Sequence, residues 1–504
     1  MSSSNSEETT GANSRRDFLK VAGTAAAAVV AGGLAEKAEA AQGGAQRVAT
    51  VGGGRTTAVV AGMKMAAGIP VPAADPNKLQ LTAKIPQGAK MAPGRVVGAN
   101  DRINVGFVGT GGQGGYHVHN FADEAQARNV VPMAVSDVYR PHMDRNAGYI
   151  KSKISGATVQ TEKDYRKLID NPDIDAIVIS TPEHWHAQVA IHAMQAGKHV
   201  YIEKPMTRYL DEAFQVYDTA MRTKRVVQVG SQGSSDVRWH AAGEAIRSGR
   251  IGKPVLGQGS YMRNNPRGEW NYGIPEGITP DNFDWAMWLG SAPTRPFANP
   301  GPARDGEQPT RDDAAARFRR YRKYRDYSAG ILGDLMPHKL HPFLIASGNP
   351  EFPTRVVCTG TKALSNDRDV ADTVQVLAEF PSGWSMLFMG STVTGYSIQD
   401  VFRGNKGTIF FGNAVEVRAE SPFAEEVEGG PVATDTPALS KYARFESVPE
   451  HEKDWLLAIR TGKTPNCNID LATKVQTIVS LAEMSQLLNK AMLFDAKTRT
   501  FKAG

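Results

Sequence analysis

Cysteine is nearly absent. The 504 residues contain two, Cys358 and Cys467, so at most one disulfide can form, and we expect two buried free thiols instead. Charge of one sign is not in excess either. The chain carries 58 Lys and Arg against 52 Asp and Glu, a net charge of +6. No basic stripe interleaved with aromatics is found, which argues against a nucleic-acid partner. Past the first forty residues no stretch reads as transmembrane, and no internal repeat is found. What is present is an ordinary globular composition, 41% hydrophobic. Its length suggests two or three domains around sizeable cores.

Residues 1–40 read as a targeting segment. Ser14-Arg15-Arg16-Asp17-Phe18-Leu19-Lys20 is similar to the twin-arginine export motif. A mildly apolar stretch, Val21 to Ala35, follows, and Ala38-Glu39-Ala40 offers a cleavage site before Ala41. The expected location is therefore periplasmic or secreted, with the twin-arginine machinery as a partner; an uncleaved anchor is the other reading. Residues 41–101 are rich in Ala, Gly and Pro, as in a linker or a surface arm.

The chemistry starts at Arg102–Gly115, RINVGFVGTGGQGG. An apolar strand runs into Gly109, Gly111 and Gly114, a G-x-G-x-x-G turn that also contains Gly112 and Gln113. The first glycine permits the tight turn, the second a close approach of backbone to pyrophosphate, and the third close packing of helix on strand. A second apolar run, Val130–Val135, ends in Asp137, where a ribose-binding carboxylate belongs. Asp137 favours NAD over NADP, although Arg140 leaves some room for a 2′-phosphate. Strands at Ile174–Ser180, His199–Ile202 and Arg225–Val229 alternate with helices. This βαβ repetition predicts a Rossmann-type doubly wound parallel sheet over 102–232.

From 233 to 504 the texture changes. Alternating strands between Thr354 and Val417 predict an α/β domain with an open, largely antiparallel sheet. Such a sheet suits pairing with another subunit, so a homo-oligomer is expected. Helices are expected at Ala329–Ser347, His451–Arg460 and Leu471–Ala491, and a loop at Thr181–His186.

Gly109–Gly114, Thr181-Pro182-Glu183-His184-Trp185-His186, Glu203-Lys204-Pro205 and Asp334-x-x-x-His338 occur in this order. Together they resemble the glucose–fructose oxidoreductase / inositol dehydrogenase / MocA family from about residue 102 onward. The resemblance implies a bound nicotinamide dinucleotide contacted by the glycine turn, Asp137, Thr181, Pro182, His186 and Glu203-Lys204. Gln232, just past a strand end, is a further candidate contact. Lys204, at the carboxyl edge of the sheet, can bind a substrate oxygen and stabilise negative charge. By resemblance His338 is the acid or base at the reacting hydroxyl, and Asp334 orients it or binds substrate. The carboxylate often found three residues later in the family is replaced by His341. Asp334, His338 and His341 could also ligate a metal, but hydride transfer to a nicotinamide needs none, and no metal is expected.

Tyr261, Arg263, Trp185 and His341 are candidate substrate contacts. Trp185 suits core packing equally well, and core packing is the better reading of Trp270, Tyr272, Trp285 and Trp288. Arg317–Arg325 is either a solvated or subunit-contact face or a rim for a polar substrate. The expected function is an exported NAD(P)-dependent oxidoreductase on a sugar, cyclitol or glycoside, with tightly held NAD. The alternatives are a family 109-type glycosidase using bound NAD transiently, and a non-catalytic nucleotide-retaining sugar-binding protein.

Overall fold

The structure, a computed structural model, describes residues 94–98, 100–299, 301–309 and 314–504. The expected signal and nearly all of the expected arm lie outside the described residues.

The first sheet is made of β1 (Ile103–Val108), β2 (Val130–Ser136), β3 (Gln160–Glu162), β4 (Ala176–Ile179), β5 (His199–Glu203) and β6 (Val227–Gly230). Their order is β3-β2-β1-β4-β5-β6, and every pairing is parallel. Helices cover both faces, so the central strands are apolar throughout; all four residues of β4 are buried. Strand order reverses between β1 and β4, which opens a crevice at their carboxyl ends. Helices α1 (Gly112–Asp123), α2 (Arg140–Lys153), α3 (Glu183–Gln195) and α4 (Leu210–Thr223) connect these strands.

Helix α3 begins inside the expected loop, with Pro182 at its N-cap. Glu183, His184 and His186 stand in the first turn of this helix. All three are buried, because the second domain covers this helix's first turn.

The second sheet has 11 strands. Its long members are β7 (Pro254–Asn264), β8 (Arg355–Thr361), β9 (Thr373–Glu379), β10 (Ser385–Ser391), β11 (Val401–Gly404), β12 (Gly407–Phe411), β13 (Val415–Ala419), β14 (Met492–Asp495) and β15 (Thr500–Ala503). Between the short edge strand Gly430–Pro431 and β15 the order is β13-β12-β11-β7-β10-β9-β8-β14. Only β7 and β10 pair in parallel. Burial alternates along β9 and β10, as in a sheet with one covered face. Strands β11, β14 and β15 were not anticipated, because each is short and lacks a clean apolar alternation.

The expected helix over Ala329–Ser347 is two helices, α5 (Ile331–Asp334) and α6 (Pro337–Ala346). Pro337 has no N–H with which to continue the helix. The His338 N–H bonds to the Leu335 carbonyl instead, at 3.2 Å. Further on, α7 (Val448–Thr461) returns to the first sheet. Its Trp455, Leu456 and Ile459 share a buried cluster with Ile103, Val105, Phe107 and Phe121. Helix α8 (Ile469–Leu488) is buried almost all round, packed against β8 and α4. Both cysteines are free and buried. Among the described residues no helix is long and apolar enough to cross a membrane.

Candidate active site

A cavity of about 630 Å³ opens at the carboxyl ends of β1, β4 and β5. Its base is the glycine turn. Gly109 has a φ of 79°, and a Cβ there would come within 2.7 Å of the Thr181 nitrogen. A Cβ at Gly114 would lie 1.9 Å from the Gly109 carbonyl oxygen. Gly114 therefore sits behind the wall and lets α1 close on the turn, while Gly111, Gly112 and Gln113 border the cavity. The N-cap of α1, Gly111, makes no side-chain cap bond, and the first turn holds no acidic residue. Its first N–H groups are left for an anionic ligand.

Asp137 closes the neighbouring strand end. Its Oδ2 accepts the Thr110 N–H at 2.7 Å and its Oδ1 the Tyr139 N–H at 2.9 Å. The carboxylate thus ties the glycine turn to β2, and each oxygen keeps acceptor capacity for a ribose hydroxyl. Ser180 and Thr181 border the cavity, and their hydroxyl oxygens are buried without a protein partner. Free glycine-turn N–H groups, a carboxylate at the ribose position and two unpartnered hydroxyls fit a dinucleotide.

Pro182 and His186 complete this wall. The His186 ring lies between the Pro205 carbonyl, 2.7 Å from Nδ1, and the Thr181 carbonyl, 2.8 Å from Nε2. It fastens the Thr181 turn to the chain just past Lys204. The Trp185 indole N–H donates to the Trp288 carbonyl at 2.8 Å, and the side chain borders the cavity.

Lys204 follows the last residue of β5. Its ammonium donates to the Asp334 carbonyl at 2.7 Å and to Asp334 Oδ1 at 2.8 Å. The carbonyl is available because the break before α6 removes its helical partner, the His338 N–H. Arg322 Nε donates to the same Oδ1 at 2.8 Å, and the Trp270 indole N–H to Oδ2 at 3.1 Å. Burial pushes the Asp334 carboxyl up, but Arg322 and Lys204 overcome that and hold it well below the ordinary carboxylate range. One of the three ammonium donors of Lys204 remains for a bound oxygen.

This corrects the expected pairing of Asp334 with His338. The two do not share one helix face, and Asp334 is committed to Lys204, Arg322 and Trp270. His338 enters the cavity from α6 beside Tyr261, with ring centroids 5.6 Å apart. The carboxylate facing its Nδ1 is Glu446, 3.9 Å away. Burial, then the nearby Lys204 charge, pushes the imidazole down to about 3. It is a neutral base at neutral pH.

His341 does not reach the cavity, which corrects its expected substrate role. It is 1% exposed, and its Nδ1 lies 2.9 Å from the Pro337 carbonyl, one turn back along α6. With His341 turned inward and Asp334 committed to cations, these residues do not converge as ligands. Among the described residues no group of three His, Cys, Asp or Glu side chains is placed to hold a metal.

Gln232, Tyr261 and Arg263 border the cavity, with Arg263 held by Glu269 at 2.6 Å. The Arg317–Arg325 segment forms a rim rather than a solvated face. Phe318, Arg319, Tyr321 and Arg322 border the cavity, while Arg320 and Lys323 are buried behind them. Tyr272 and Trp288 also line it, whereas Trp270 and Trp285 are buried outside it.

Three further residues support Glu203. Its Oε1 accepts from Gln113 at 3.2 Å and lies 2.9 Å from His117 Nε2. His117 Nδ1 is 2.5 Å from Glu452 on α7, whose other oxygen accepts from Arg128 at 2.7 Å. Burial opposes a charge on His117, but Glu203 and Glu452 outweigh it and lift the imidazole to about 9. His117 lies one helical turn after Gln113, a spacing that could have flagged it; nothing in the sequence points to Glu452.

Residues 103–231 match the family model of an oxidoreductase family with an NAD-binding Rossmann fold, GFO/IDH/MocA. Residues 305–410 match the GFO/IDH/MocA C-terminal domain. A Shewanella baltica protein named glycosyl hydrolase family 109 protein is 33% identical over 180 residues, which is 35% of this chain and 39% of that protein. An alpha-N-acetylgalactosaminidase of Shewanella oneidensis is 30% identical over 197 residues, 37% of this chain and 42% of its own length. The matched stretch thus spans about two-fifths of these relatives. A levoglucosan dehydrogenase, solved with NADH and levoglucosan, superposes with a TM-score of 0.55 at 19% identity. It covers 80% of this chain and 99% of its own, a likeness of fold.

Proposed function

Because the chain belongs to the GFO/IDH/MocA oxidoreductase family, we propose that it oxidises or reduces a CH–OH group of a sugar or cyclitol ring with NAD. The observation that carries this reading is the meeting of Lys204, anchored twice on Asp334, with a neutral His338 in one cavity that also holds the dinucleotide cradle. NAD, when bound, supplies the hydride acceptor. The chain supplies the rest. The free N–H of Lys204 holds the reacting oxygen and stabilises its growing negative charge. His338 takes the hydroxyl proton at a ring nitrogen, and in the reverse direction returns it. The rim from Phe318 to Arg322 borders the cleft, which supports a tightly held cofactor. The amino-terminal motif supports export after cofactor loading.

A pH profile checks the role of His338. Its folded value of about 3 lies below the ordinary 6.5, so the neutral base is present throughout neutral pH. The acid limb of kcat/KM for oxidation is expected well below 6.5. A limb at the ordinary imidazole value that vanishes in His338→Ala would contradict the buried neutral ring. The sign for stability is the same: the unfolded chain binds the proton more tightly, so this group's contribution is lost as pH falls from 6.5 towards 3.

A second reading rests on the relatives named as glycosidases: redox-neutral cleavage of a glycoside with the same proton-transfer groups. Mass spectrometry of small molecules released by denaturation, followed by sugar assays, separates the two. Retained NAD with net NADH formation supports oxidation; glycoside cleavage without added cofactor supports the second reading. Retained NADP overturns the assignment of Asp137. A protein that neither holds nor binds NAD overturns both.

A further inference from the structure

A second cavity, of about 290 Å³, adjoins the first at His338, and no step above uses it. Tyr261 and His338 border both cavities. Gln232, on the first wall, lies beside Glu446, on the second. A ligand whose reacting end sits at Lys204 and His338 therefore has room for a further unit beyond the imidazole. The volume is near the lower bound of small-molecule pockets, roughly 300 Å³, which suits one ring rather than a longer chain.

The wall chemistry selects the kind of unit. The Arg238 guanidinium is taken by Asp236, with Nε 3.0 Å and Nη2 2.5 Å from its oxygens, and its Nη1 donates to the Gly412 carbonyl at 2.7 Å. Lys339 is paired with Asp400. Glu446 adds a third carboxylate. Each cation is already matched, and acid exceeds base, so an anionic ligand is disfavoured. A neutral polyol meets fixed donors and acceptors at little reorganisation cost. Tyr261, Trp239 and Phe411 provide aromatic surface for the CH face of a ring; the latter two stack with centroids 4.1 Å apart.

We propose that this cavity binds the second, uncharged sugar unit of a glycoside whose first unit reacts at Lys204 and His338. The proposal rests on the function given above and narrows its substrate from any sugar or cyclitol ring to one carried in a glycoside.

The test compares glucose with cellobiose and galactose with lactose, using NADH absorbance and the NAD-loaded protein. The disaccharides are expected to exceed their monosaccharides in kcat/KM by about tenfold or more, equivalent to ~1.4 kcal/mol. In Lys339→Gln/Asp400→Asn, which replaces an ion pair by two neutral amides, that ratio is expected to fall about fivefold or more. Gly412→Leu provides a variant that keeps every charge: a Cβ there meets only the Ala414 carbonyl, at 3.6 Å, so the added side chain crowds the cavity from its edge. It should lower the ratio too. Monosaccharides that match the disaccharides, or a ratio unchanged in both variants, overturn the proposal. Calorimetric titration of cellobiose and lactose into the NADH-loaded protein separates the two levels. Binding that the variants weaken, without turnover of any sugar, upholds the second cavity and overturns the oxidation; no binding to the unaltered protein overturns the cavity.

Discussion

Lys204→Met is expected to lower kcat by roughly 10²–10⁴-fold, the range for loss of a positioned proton-transfer or charge-stabilising group. The fold should survive. Methionine keeps the length and apolar stem, and Asp334 retains Arg322 and Trp270 as partners. Nucleotide content should stay near that of the unaltered protein, because the glycine turn and Asp137 are untouched. Steady-state assays combined with nucleotide analysis check this. A loss confined to KM would make Lys204 a binding group only, and a rate within about tenfold of the original would remove it from the reaction.

The second large effect lies far from the cavity in sequence. Glu452→Ala is expected to destabilise the protein by about 3–5 kcal/mol, because it leaves two buried cations without their shared partner. Those cations are His117 and Arg128, with side chains 0% and 2% exposed. Arg128 keeps a second carboxylate, Glu124, at 2.8 Å, but that one is partly solvated. Urea unfolding of the single variant and of the triple variant His117→Leu/Arg128→Met/Glu452→Leu tests the account. The triple variant should recover much of the loss, since an apolar replacement removes the stranded charges along with their partner. A cost below about 1 kcal/mol for the single variant would mean that His117 is neutral or that water reaches the network.

The pH sign is fixed by His117. Its value rises from 6.5 unfolded to about 9 folded. The stabilisation is therefore complete below 6.5 and is lost as pH climbs through about 9. The network ends on Glu203, whose Oε2 accepts the backbone N–H of Lys204 at 3.2 Å. Glu452→Ala should accordingly slow turnover at temperatures where the protein is still folded.

Much of the cofactor half was legible because its signals are local. A strand buried on both faces must be apolar, a turn at φ 79° requires glycine at 109, and the close approach at 114 excludes any Cβ. Asp137, the carboxylate expected for a ribose, sits at a strand end by the same short-range logic. Where a residue's environment came from the other domain, that logic failed. Glu183 was assigned to a loop, yet it starts α3, accepts from the Ser328 hydroxyl and the Ala329 N–H, and is pushed to about 7 by burial. Arg320 reads as solvent-facing, yet its guanidinium is buried against the Tyr272 and Glu307 carbonyls.

The sequence by itself determined the α/β class, the glycine turn and the Asp137 strand end, each from backbone sterics or residue chemistry within a few positions; Lys204 and His338 it offered as candidates, the latter by resemblance. Only the tertiary structure decided what these groups are paired with. Asp334 looked like the partner of His338 at helical spacing. Pro337 breaks that helix, and Lys204, 130 residues away, takes both the carbonyl and the carboxylate that the break exposes. The carboxylate facing His338 became Glu446, and the support of Glu203 came from Glu452 on a returning helix. Electrostatic pairing depends on distance in space and on loss of water, and neither is encoded in the spacing of residues along the chain.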